Sequence, residues 1–171
     1  MIFRLSEKLK AKIKAGTLAT LPLDENPVAD WSAGLFLVGR SPYILLTNTK
    51  SLYSVVMFGR GSPSDSYFIE RALSNIREFM EMDGFEFFYH RFIVPATGSV
   101  RFAKSLNRSV TGSMNDLVKH ATYWLAQGDV APSQVGSKLN EIPMSALPGR
   151  SSPSYGIPRE TFKGLGGGVE S

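Results

Sequence analysis

With 171 residues, 43% of them hydrophobic and 20% charged, the chain can bury one sizeable core without disulfide or metal staples. It has no cysteine, which excludes a disulfide framework, thiolate metal sites, iron–sulfur ligation and a cysteine nucleophile. The net charge of +4 permits an anionic partner without requiring one.

Residues 1–16 open like the charged region of a signal peptide, but lysines interrupt the stretch and no apolar core follows. The longest apolar runs, such as 43–46, are far too short to span a bilayer. The expectation is a soluble, cytoplasmic protein without membrane contact. Leu5, Leu9 and Ile13 fall four apart, with Ser6 placed to cap a short helix and Gly16 to stop it. The alternation of lysines with Leu9, Ala11, Ile13 and Ala15 would also suit an edge strand. Good helix formers dominate the stretch, and helix is the reading taken.

Residues 17–33, with Pro22, Pro27 and an acidic Asp24-Glu25-Asn26, read as an ordered loop ending near Trp31. Three β-type runs follow at 34–38, 43–47 and 52–58, and their short connections make an antiparallel meander. Pro63 and Ser64 then start a helix whose apolar stripe is Ile69, Ala72, Leu73, Ile76, Phe79 and Met80, ended by Gly84. The aromatic stretch 85–94 reads as a buried strand. The turn 95–98 joins it to a partner strand at 100–106.

A helix beginning near Thr111 or Ser113 carries the stripe Met114, Leu117, Val118, Ala121, Trp124 and Leu125 and stops at Gly128. Pro132 suits the first turn of a further short helix. Beyond Leu147 the chain is dense in Gly, Pro and Ser. This divides it into a domain at 1–147 and a flexible tail at 148–171, with one weak helical turn near 161–163. The expected fold class is α+β: a single antiparallel sheet of five or six strands with three or four helices packed on it.

The densest polar segment, 104–116, lies between the last strand and the helix after it. Lys104, Asn107, Arg108, Ser109, Thr111, Ser113, Asn115 and Asp116 are the candidate residues, with Arg101 and His120 as secondary ones. A helix entry offers unpaired N–H groups and a positive dipole end, so these charges and hydroxyls describe a phosphate cradle. Capping by Thr111 or Ser113 and a turn at Asn107 account for most of the same residues. Neither a Walker loop nor a dinucleotide glycine pattern is present. A serine triad lacks its nucleophile elbow. His90 and His120 read as packing or surface histidines. Glu78, Glu81 and Asp83, like Asp24, Glu25 and Asp30, match no metal motif, and no cofactor is implied. The aromatic stretch 85–92 is better explained by core packing than by base stacking.

The segment Asn107-Arg108-Ser109-Val110-Thr111-Gly112-Ser113-Met114-Asn115-Asp116 resembles an uncharacterised family of bacterial small proteins. It is similar to the C-terminal part of some plasmid ORF-3-like proteins. Supporting stretches are 1–5, Trp31 with Phe36, 43–47, 52–54 and 102–104, so the resemblance spans about 1–145 and leaves the tail outside. It implies a domain of unknown function and carries no mechanism.

The residues themselves point first to a non-enzymatic binding module for nucleic acid or another phosphate-bearing partner. The alternative is a small enzyme with Asp116 or His120 as acid–base group and Arg108 as oxyanion partner. A protein-interaction subunit is the third reading.

Overall fold

The fold is given by a computed structural model that describes residues 1–61, 64–149 and 155–167. Five strands, β1 (Ile2–Leu5), β2 (Asp30–Val38), β3 (Ser41–Asn48), β4 (Ser54–Phe58) and β5 (Arg101–Ala103), form one sheet in the order β4-β3-β2-β1-β5. Among the described residues the helices are α1 (Glu7–Ile13), α2 (Asp65–Met82), α3 (Glu86–Phe88), α4 (Arg108–Ala126), α5 (Pro132–Leu139) and α6 (Pro158–Gly164). The class is α+β with a single sheet, as the sequence predicts. No helix among the described residues is long and apolar enough to cross a membrane.

The sheet is mixed rather than wholly antiparallel. β2, β3 and β4 form the expected meander, but β1 lies parallel to both β2 and β5. The sequence reading counts Leu5 in the stripe of the first helix and gives residues 2–4 no element, yet all four residues of β1 are buried. α1 then starts where expected, with the Ser6 hydroxyl accepting from the Leu9 N–H; Lys14, at φ 56°, ends it before Gly16.

Alternation along the strands builds two cores. Phe3, Leu5, Trp31, Ala33, Ile44, Leu46, Val55 and Met57 meet α1, α2 and the aromatic segment on one face. Phe36, Leu45 and Val56 meet α4 and α5 on the other. α5 lies against β4 and the end of α2 at Gly136, where a Cβ would sit 2.9 Å from the Phe79 ring of α2 and 3.5 Å from the Ser54 carbonyl oxygen of β4.

Two expectations fail for identifiable reasons. Residues 85–94 are not a strand but a helical run: α3, a π-helical turn at Tyr89–Ile93, then a 3₁₀ turn at Val94–Ala96. Phe85, Tyr89 and Ile93 are buried while Phe87 is 60% exposed, so the burial period is four, and only the β-propensity of the aromatics suggests otherwise. The partner strand shrinks to β5 and pairs with β1 instead.

Residues 155–167 do not behave as a flexible tail. Phe162 of α6 is fully buried, stacked on Tyr53 at 4.3 Å and edge-on to Trp31 and Phe85. Arg159 donates to Asp83, whose other carboxylate oxygen accepts from the Tyr53 hydroxyl at 2.7 Å. Burial, then that hydrogen bond, pushes the Tyr53 pKa far above the ordinary tyrosine range. Pro63, part of the expected start of α2, and tail positions 150–154 and 168–171 lie outside the described residues.

Phe162→Ala is therefore expected to cost about 3–5 kcal/mol by leaving a cavity among four aromatic rings. Urea denaturation followed by tryptophan fluorescence measures this. An unchanged midpoint would return 155–167 to the status of a loose tail.

Candidate functional site

The three parallel strands share one carboxyl end, where Leu5, Ala33 and Lys104 come side by side. From there the chain diverges. After β1 it enters α1, whose Leu9 and Ile13 belong to the first core. After β5 it enters α4, whose Leu117, Ala121 and Leu125 belong to the second. Helices leaving adjacent parallel strands toward opposite faces open a crevice at the strand ends, the usual place for a ligand in open α/β sheets.

A cavity of about 1020 Å³ occupies that position. Its floor is the α4-facing side of β1 and β2: Arg4, Ser32, Gly34 and Phe36. One wall is α4, with Thr111, Met114, Asn115 and Val118, and the rim carries Ser6, Glu7, Lys8, Lys104 and Ser105. A side chain at Gly34 would point into this space, where a Cβ makes ordinary contact with the Met114 methyl at 3.7 Å.

At the polar end of the floor, Arg4 and Asp30 form a buried bidentate pair, Nε to Oδ1 at 2.9 Å and Nη2 to Oδ2 at 2.8 Å. Arg4 also donates to the carbonyls of Leu21, Pro22 and Lys104. All five guanidinium N–H groups are thereby used. Ser32 is paired with Thr49, and Ser105 with Thr111, each at 2.8 Å. The side chains of Lys8, Lys104 and Asn115 make no hydrogen bond or ion pair with the described residues. Lys8, Lys104 and Asn115 are exposed and are the groups free to meet a ligand.

The segment 104–116 does not converge on one place. Asn107, not Thr111 or Ser113, is the N-cap of α4: its side chain accepts from the Val110 N–H at 3.0 Å, so the helix begins at Arg108. Helical periodicity then deals the candidates to different sides. Lys104, Thr111 and Asn115 line the large groove. Asn107, Ser109 and Ser113 border a cleft of about 180 Å³ with Thr49 and Lys50. Ser113, Asp116 and His120 border another of about 240 Å³ with Lys119 and Tyr155. Arg101 and Arg108 are exposed and line none of the three. Arg108 thus stands apart from Asp116 and His120, its supposed catalytic companions.

His120 lies beside the Trp124 ring at 5.7 Å. His90 is exposed, with Nε2 3.9 Å from a Glu86 oxygen. Glu81, Glu86 and His90 bring ligand-type atoms within 4.8 Å of one another, but Arg77 already holds Glu81 at 2.8 Å. The sequence reading missed Arg4, Gly34, Phe36, Met114 and Val118 as lining. Their signal is the alternation Asp30, Ser32, Gly34, Phe36, a strand face that carries polar and small residues where a tightly filled core would carry large apolar ones.

Asp30→Ala would strand Arg4 as a buried, half-satisfied cation. The expected loss is about 3–5 kcal/mol in chemical denaturation, against a surface pair's ~1 kcal/mol or less. A loss in the surface range would show that the pair does not organise the floor.

The model of a family described as "Domain of unknown function (DUF6933)" matches residues 2–161. No curated protein and no solved structure matches the chain.

Proposed function

The chain belongs to that family of domains of unknown function, and we propose that it is a non-enzymatic binding module whose groove takes a phosphate-bearing partner. The carrying observation is the open groove at the carboxyl ends of β5, β1 and β2, with the free cations Lys8 and Lys104 on its rim. An ammonium at the edge of an apolar cavity meets a phosphate with less competition from water than one on open surface. Nucleic acid is the extended form of such a partner. Arg101 and Arg108 lie exposed outside the groove, within reach only of a polymer that extends beyond it and not of a nucleotide-sized molecule held inside.

Lys104→Glu is expected to weaken binding of nucleoside phosphates and of single-stranded oligonucleotides by about tenfold or more, the loss of one charge-assisted contact. Fluorescence anisotropy and calorimetry measure the two. If a polymer is the partner, Arg108→Ala also weakens oligonucleotide binding and makes its salt dependence shallower by about one phosphate contact. If the partner is small, that variant changes nothing. Absence of any phosphate-dependent binding at low salt would remove the proposal.

A further inference from the structure

The groove is polar at one end of its floor and apolar at the other. Along the α4-facing side of β2 the residues run Asp30, Ser32, Gly34, Phe36: a neutralised ion pair, a hydroxyl, an open position, then an aromatic ring. Met114 and Val118 of α4 continue the apolar side. Asp30 cancels the charge of Arg4, so the cations left to a ligand are Lys8 and Lys104, with Glu7 beside them. Two lysines next to an acid suit a single anionic group. A polyanion wants a longer basic track. The cavity, about 1020 Å³, is at the upper end of the range that holds a whole small molecule.

Resting on the binding-module reading, we infer that the ligand is a single-chain amphiphile with one phosphate or carboxylate head and an apolar tail. The head meets Lys104 and Lys8 at the rim. The tail lies over Gly34 against the half-buried Met114 and Val118, with the buried Phe36 ring beneath it, displacing water from the apolar lining of the groove. Gly34 is a specificity-determining position: it lies in an ordinary strand conformation, and its missing side chain is the room the tail uses.

The test uses the full chain and four probes: dodecyl phosphate and dodecanoate below their micellar concentrations, dodecanol below its solubility limit, and inorganic phosphate. Calorimetry is expected to show dodecyl phosphate and dodecanoate binding about tenfold or more tighter than either dodecanol or inorganic phosphate, because only they engage both ends. Gly34→Leu should cost about tenfold or more for the two amphiphiles and leave Lys104-dependent binding of inorganic phosphate unchanged. Thermal melting checks that the variant is folded. If it is not, Val118→Trp fills the same space from the α4 side and should give the same selective loss. Equal affinity of a folded, groove-filled variant for dodecyl phosphate overturns the inference. Oligonucleotide or inorganic phosphate binding that depends on Lys104, with no gain from a tail, overturns it while leaving the binding-module reading intact. Failure of all anionic probes ends both.

Discussion

The structure turns on the buried pair between Arg4 and Asp30, with side chains 1% and 0% exposed. Removing two charges from water costs several kcal/mol each, and attraction between them offsets that only when every remaining donor is also used. Here the condition is met. The guanidinium takes Asp30 bidentately and spends its other hydrogens on the carbonyls of Leu21, Pro22 and Lys104. The same carboxylate accepts from the Asp24 N–H. One side chain on the central parallel strand thereby fixes its neighbour β2, the loop before β2 and the residue that follows β5. What the pair contributes is position. It sets the height of Lys104 at the rim and closes the polar end of the groove floor.

The two faces of the sheet are finished to different degrees, and the difference produces the site. On the first face, α1, α2, the helical aromatic segment and Phe162 pack into one buried cluster. Five aromatic rings, those of Trp31, Tyr53, Phe85, Phe88 and Phe162, pack into one cluster. On the second face, α5 lies on β4 and α4 on β2, and none of the described helices packs closely on the outer half, β1 and β5. The edge strand β4 is closed by other means. Asn140 hydrogen-bonds both the N–H and the C=O of Ser54, as a neighbouring strand would, and Arg71 takes the carbonyl of Phe58. The β4 edge is thus protected by side chains, and the large groove lies over the less covered half of the second face.

Much of this was legible in the sequence, and the failures have physical causes. The meander, the stripe of α2 with its Ser64 cap, and the short helix from Pro132 follow from period and turn chemistry, and each is present. β1 was illegible because its defining residue is a buried arginine, and no periodicity announces that a charge will find a partner 26 residues away. The aromatic segment did carry its helical spacing, in Phe85, Tyr89 and Ile93. Residue type outweighed spacing there. Phe162 could not be weighed at all from a Gly- and Pro-rich context, since its burial depends on a slot built by residues 31 to 88.

The fate of the polar segment 104–116 shows how one helix turn reorganises a sequence cluster. Contiguous residues on a helix are spread about 100° apart, so neighbours in the chain become strangers on the surface. Once Asn107 caps α4, Thr111 and Asn115 must share a side with Met114 and Val118, and Ser109 and Asp116 must leave it. The groove therefore inherits its chemistry from apolar wall residues that look like core in the sequence, joined to a lysine from the strand end. That combination, the exposed cations Lys8 and Lys104 above an apolar slot, is what the proposed ligand's charge and hydrophobic body would each meet. A cluster of serines and an arginine, had it stayed together, would have selected for the charge alone.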